Sequence, residues 1–95
     1  MIRKFLVVSN RVSFAATKYD EEQANTVLVD LIMPLDAYWE INRLLHKADY
    51  LMASQEQTTD IQEIYRQVFK EAAPYAVSEN DRNWLFKRAG KAKKS

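Results

Sequence analysis

The sequence of 95 residues contains no cysteine, one glycine, two prolines and one histidine. Without cysteine, the chain can form no disulfide framework, no thiolate metal site and no cysteine nucleophile. With one glycine, it can form no glycine-rich loop that binds phosphate groups and no hairpin turn of the Asn-Gly kind. These absences exclude several common classes of enzyme, and they are typical of a protein of the reducing cytoplasm, which is the expected compartment.

Long apolar runs are also lacking. No stretch approaches the ~20 apolar residues that a membrane span requires. Near the N-terminus, a short apolar run at 5–8 follows two bases, which is the order of residues in a secretory signal. Asn10 and Arg11 interrupt this region before it reaches the ~7 apolar residues of a signal core. We therefore expect neither a signal peptide nor a membrane contact.

The residues that are present are sufficient for one modest core. The chain has eleven aromatic residues, and 47% of all residues are apolar. Such a composition predicts a folded chain, and the length corresponds to one domain spanning 1–95. A core of this size leaves little margin of stability, so a homodimer is an open alternative.

Charge is distributed unevenly, although the net charge is only +1. Residues 1–81 carry eight bases and thirteen acids, whereas residues 82–95 carry six bases and no acid. The basic segment could bind phosphate groups while Trp84 or Phe86 stacks on a nucleic-acid base. Alternatively, its aromatic residues pack inward and its tail only adds solubility. The candidate nucleic-acid contacts are Arg82, Lys87, Arg88, Lys91, Lys93 and Lys94.

Three segments in the first third of the chain are predicted to be strands. Residues 2–9 are rich in β-branched and aromatic types, and residues 11–18 alternate between apolar and polar types. The residues between them form either a turn or a bulge within one long strand. Residues 26–33 fit a strand or a helix, and we favour a strand because β-branched types dominate and a lone hairpin would be marginal. Its expected buried face is Val27, Val29, Leu31 and Met33.

Three helices are predicted after the strands, at about 36–53, 59–73 and 78–90, with a basic tail at 91–95. The expected caps are Asp36, a capping box from Thr59 to Gln62, and Ser78, with Pro74 and Gly90 near the helix ends. The expected inward faces are Tyr38, Ile41, Leu45, Ala48 and Met52, then Ile61, Ile64, Tyr65, Val68 and Ala72, then Trp84, Leu85 and Ala89. The order of elements predicts an α+β fold, in which a small antiparallel sheet of two to three strands packs against about three helices.

Residues with catalytic potential are few. His46 lies beside the apolar stripe of its helix, and no second ligand or nucleophile stands at a motif spacing from it. Three adjacent acids at 20–22 could bind a hard cation, but they lack the spacing of a calcium loop, and a solvated turn is favoured. We therefore expect no catalytic residue, no metal site and no cofactor.

The favoured function is binding to another protein, as an adaptor, an inhibitor or an assembly factor. Small stand-alone proteins of this sort are common in phages and other mobile elements, and the partner could be a DNA-processing enzyme. The alternatives are a nucleic-acid-binding accessory protein that uses the basic segment and, less favoured, an acidic body that imitates nucleic acid. The candidate protein-binding residues, if they are exposed, are Trp39, Arg43, Phe69 and Tyr75.

Overall fold

The structure is a computed structural model, and it describes residues 1–9, 11–15, 26–54 and 58–91, with the side chains of 15, 58, 59 and 91 excepted. Within these ranges the strands come first and the helices follow, so the predicted α+β class is confirmed. The strands are β1 (Ile2–Val8), β2 (Val12–Ala15) and β3 (Val27–Met33). The helices are α1 (Leu35–Ala53), α2 (Thr58–Ala72) and α3 (Glu79–Lys91), with a short 3₁₀ helix (Ala73–Tyr75) between α2 and α3.

The strands form an antiparallel sheet in the order β2-β1-β3. β3 pairs with β1 along its whole length, from Met33 opposite Ile2 to Val27 opposite Val8. The strand interpretation of this segment is therefore confirmed. The physical reason is that β1 would otherwise leave one row of backbone hydrogen-bonding groups unpaired.

A turn joins β1 to β2. Val8 pairs with Val12, and the Ser9 N–H donates a hydrogen bond to the Arg11 carbonyl oxygen at 3.1 Å. This geometry rules out the alternative of one long bulged strand. The end of the second predicted strand, at 16–18, lies outside the described residues.

One face of the sheet lies against the helices, and each strand and helix contributes to the same core. The alternation expected for β3 is confirmed, since Val29, Leu31 and Met33 are fully buried. Because side chains in a strand alternate between two faces, this pattern fixes which face of β3 meets the helices. The other main core residues are Leu6, Val8, Val12, Ile41, Leu45, Val68, Phe69, Ala72 and Leu85.

The opposite face of the sheet carries an ion pair. Arg3 donates hydrogen bonds to both carboxylate oxygens of Asp30, Nε to Oδ1 at 2.9 Å and Nη2 to Oδ2 at 2.6 Å. The hydrogen bond from Arg3 to Asp30, together with their attraction, raises the pKa of this guanidinium above its ordinary value. The ion pair links β1 to β3 on the side of the sheet away from the helices.

The 3₁₀ helix brings the chain back to the free edge of β3. Ala76 forms an isolated bridge with Leu31, and the Val77 N–H donates a hydrogen bond to the Asp30 carbonyl oxygen at 2.9 Å. Part of the edge of β3 is thereby covered, which is a common protection against pairing with other chains. α3 begins two residues after this contact, at Glu79.

Two predicted helix ends are each wrong by one residue. α1 begins at Leu35 after Pro34, which forms no side-chain cap, so Asp36 is not the cap. Asp36 lies in the first turn, where its carboxylate accepts a hydrogen bond from the Ala37 N–H at 2.8 Å. Its negative charge interacts favourably with the positive N-terminal end of the helix dipole. Gly90 does not end α3, which continues to Lys91.

The other two helix starts agree better with the sequence. Ser78 caps α3 as predicted, with its hydroxyl oxygen accepting a hydrogen bond from the Asp81 N–H at 3.4 Å. α2 begins at Thr58, one residue before the predicted range, so Thr59 lies inside the first turn. The capping box expected at Thr59 involves a side chain outside the described set.

α2 lies between the other two helices and packs against both. Its predicted inward face is confirmed, with Ile61, Val68 and Ala72 buried. Met52 of α1 is an exception among the predicted inward residues, since 38% of it is exposed near the end of the helix. It still contacts α2, where the Tyr65 hydroxyl lies 3.4 Å from its sulfur.

Candidate protein-binding face of helix α1

Helix α1 presents two large aromatic side chains to solvent. Trp39 is 58% exposed and Tyr50 is 70% exposed. They are eleven residues apart, which is three helical turns and places both rings on one side of the helix, within about 20° of each other. An exposed tryptophan and an exposed tyrosine on one helix face are candidates for contact with a partner protein.

Three further exposed residues lie along the same side of α1 and within about 40° of Trp39 around the helix axis. One is apolar, one is a permanent cation and one is the single histidine of the chain. Helices that insert into a groove of a partner use anchors at this kind of spacing. We call this surface the α1 face, and it consists of Leu35, Trp39, Arg43, His46 and Tyr50.

The ring of Trp39 packs beside Tyr38, which contacts the sheet. Its ring lies 5.2 Å from the ring of Tyr38, at an interplanar angle of 57°. Tyr38 is half-buried and contacts Phe14 of β2 at 5.6 Å between ring centroids. The Lys4 ammonium of β1 lies 5.2 Å from the same tyrosine ring. Trp39 is therefore exposed to solvent, and residues of two strands contact the tyrosine on which it rests.

Charged residues run along one side of the α1 face. Asp36 and Glu40 lie in the N-terminal half of α1, and Arg43 and Lys47 lie in the C-terminal half. All four are exposed, and all lie about 40° to 100° to the same side of Trp39 around the helix axis. Arg43 forms an ion pair with Glu40 one turn earlier. We call these four residues the charged flank.

Two of the four predicted protein-binding residues are not surface anchors. Phe69 is only 4% exposed and lies in the core, with its ring 6.3 Å from that of Trp84. The inward face of α2 is broad enough to include Phe69 beside Val68, which the helical stripe alone could not decide. Tyr75 is half-buried and packs against the same core. Trp39 and Arg43 are the two that the structure places together on an exposed surface.

The three predicted nucleic-acid contacts whose side chains are described do not share one face. Arg82, Lys87 and Arg88 point about 100° to 140° apart around the axis of α3. Arg82 is half-buried and donates a hydrogen bond to the Ala76 carbonyl oxygen at 3.2 Å. The Arg88 guanidinium lies over the Trp84 ring at 4.9 Å from its centroid. Of the remaining candidates, the side chain of Lys91 and the whole of Lys93 and Lys94 lie outside the described residues.

The described residues offer little for catalysis. His46 is exposed on the α1 face, and no group of three or more histidine, aspartate or glutamate residues within this part of the chain could hold a metal ion. The three acids at 20–22 lie outside it. In the same part of the chain, none of the helices combines the length and the apolar character needed to cross a membrane.

Tyr50 was missed by the sequence interpretation. It lies outside the apolar stripe of α1, and a single exposed tyrosine carries no signal by itself. The available signal was its spacing from Trp39, since residues eleven positions apart in a helix lie on the same side. Applied to the polar side of the helix, the same periodicity that identified the core stripe would have found it.

No protein-family model, curated protein or solved structure matches the chain. Fold class alone does not assign a function, because one architecture carries many functions. The chemistry and geometry of the α1 face therefore support the functional assignment on their own.

Proposed function

We propose that this protein is a non-enzymatic protein-binding module that docks the α1 face on another protein chain. The observation that carries the proposal is the pair of exposed rings, Trp39 and Tyr50, on one side of a helix with Arg43 between them. Tryptophan, tyrosine and arginine are the three residue types that most often dominate the binding energy of protein interfaces.

The support beneath Trp39 favours the same function. A side chain that must be ordered on binding costs roughly 0.5–1.5 kcal/mol. Trp39 already rests on Tyr38, and Arg43 is already paired with Glu40. These two side chains therefore lose less conformational freedom on binding, and less of the contact energy is offset by that loss.

The charges beside the rings indicate the kind of surface that fits. The charged flank has two acids and two bases, so the surface beside the rings has no dominant sign. A surface that binds a phosphate backbone carries mainly Lys and Arg, because the backbone is negatively charged. A protein surface with an apolar centre and both signs of charge at its rim fits better, because protein interfaces commonly have this arrangement.

Photo-crosslinking tests the proposal in cells that express the full chain. In one variant, photoreactive benzoylphenylalanine replaces Tyr50 on the α1 face. In the matched control, it replaces Lys70, which is exposed on α2 and lies outside that face. After irradiation, mass spectrometry identifies each covalent adduct, including adducts with a second copy of this protein.

We expect one defined protein adduct from position 50 and at least tenfold less of it from position 70. Equal adducts from both positions would contradict the proposal, since contact would then not depend on the α1 face. Failure of position 50 to give any adduct, while the variant remains folded by circular dichroism, would also contradict it.

A further inference from the structure

We infer that the chain docked on the α1 face is a second copy of this protein, with the two α1 helices packed antiparallel about a two-fold axis. The inference rests on the proposed function and names its partner. It comes from the order of residues along α1, and two independent features of that order lead to the same arrangement.

The first feature is the order of charge along the charged flank. The acids Asp36 and Glu40 occupy the N-terminal half, and the bases Arg43 and Lys47 occupy the C-terminal half. In an antiparallel pair of identical helices, the acidic half of each flank lies beside the basic half of the other. In a parallel two-fold pair the two flanks lie on opposite sides of the interface, so this match of acids with bases is lost.

The second feature is the placement of the rings. The middle of the α1 face along the helix axis lies between residues 42 and 43. An antiparallel pair centred there brings Trp39 of one copy to the level of His46 of the other, and Leu35 to the level of Tyr50, each twice in the dimer. In the same register the acids of each flank lie within about 3 Å, along the axis, of the bases of the other flank. A face that complements itself in this way is what a two-fold dimer requires.

The expected dimer is modest in strength. α1 has 19 residues and is therefore about 28 Å long. One helix pair of this length buries less than the ~800 Å² per partner of a standard protein interface. We therefore expect a dimer that forms as the concentration rises and dissociates on dilution.

Sedimentation velocity on the full chain over a series of concentrations tests the pairing. Two charge variants make the test specific. Asp36→Lys with Glu40→Lys makes the flank wholly basic, and Arg43→Glu with Lys47→Glu makes it wholly acidic. We expect the wild type to dimerise, each variant alone to associate at least tenfold more weakly, and an equimolar mixture of the two variants to regain the dimer.

A disulfide test determines whether the two helices run parallel or antiparallel. The chain has no native cysteine, so only the introduced cysteines can form a disulfide. Leu35 and Tyr50 are exposed at opposite ends of the α1 face, about 22 Å apart along the helix axis. A disulfide needs Cα atoms within about 7 Å. We expect Leu35→Cys mixed with Tyr50→Cys to cross-link under mild oxidation, and neither variant alone to do so. Cross-linking of Leu35→Cys with itself would overturn the antiparallel pairing.

The outcomes separate this inference from the proposed function. A wild type that stays monomeric at all concentrations overturns the self-pairing. If position 50 then still gives a defined adduct with a different protein, the proposed function stands and its partner is that protein. If the wild type stays monomeric and position 50 gives no adduct, both proposals are wrong.

Discussion

At the scale of single residues, neighbouring side chains on one helix have opposite environments. Leu85 is fully buried in the core, whereas Phe86, the next residue, is 47% exposed. Helical periodicity predicted the inward position of Leu85. Periodicity could not decide Phe69 or Trp39, which lie at the margins of their stripes, because the width of a buried stripe depends on how neighbouring elements pack.

This contrast predicts two different losses of stability. Leu85→Ala should lower the free energy of unfolding by about 2–5 kcal/mol, because it leaves a cavity in the core. Phe86→Ala removes more atoms, but from a half-exposed position, and should cost about 1 kcal/mol or less. Urea unfolding of both variants measures the difference. Similar losses for the two variants would show that the packing of α3 described here is wrong.

At the scale of elements, pairing with another strand determines the secondary structure of a segment whose periodicity is ambiguous. Residues 26–33 fit a strand and a helix equally well in periodicity, and pairing with β1 makes them β3. The helix ends differ from the sequence prediction for a related reason. α1 begins at Leu35 after Pro34, which has no capping side chain. The prediction relied on a capping residue, Asp36, and therefore placed the start of the helix one residue late.

The contact at the edge of β3 gives a prediction for this scale. Val77→Pro should destabilise the fold, because proline removes the N–H that donates to the Asp30 carbonyl oxygen at 2.9 Å. Val77→Ala keeps that N–H and is the matched control. Thermal unfolding should give a clearly lower Tm for Val77→Pro than for Val77→Ala. Equal Tm values would mean that this backbone hydrogen bond does not hold the 3₁₀ helix against the sheet.

At the scale of the whole molecule, the order of elements was enough to predict the fold class, because strands followed by helices favour an antiparallel sheet with one helical layer. The strand order β2-β1-β3 was not predictable, since several orders satisfy the same pattern. Of the four candidate protein-binding residues, Trp39 and Arg43 lie together on an exposed surface. Tyr50 was not among the candidates, although its spacing of eleven residues from Trp39 is a sequence signal.

The whole molecule also separates two chemistries that the sequence placed side by side. Aromatic and basic residues are mixed along α3, yet Arg88 lies over Trp84 and Arg82 is bonded to the Ala76 carbonyl oxygen. These bases are partly engaged by the fold. The rings of the α1 face, by contrast, are directed to solvent. This difference favours protein contact through α1 over nucleic-acid contact through α3.

The most direct test of the central claim is the yield of the position-50 photo-adduct in two further backgrounds, Trp39→Ala and Phe86→Ala. Both remove a partly exposed aromatic ring, but only Trp39 lies on the α1 face. If the α1 face is the contact, Trp39→Ala should lower the yield at least tenfold, and Phe86→Ala should leave it unchanged. Equal yields in both backgrounds would contradict the claim, since docking would then not depend on Trp39.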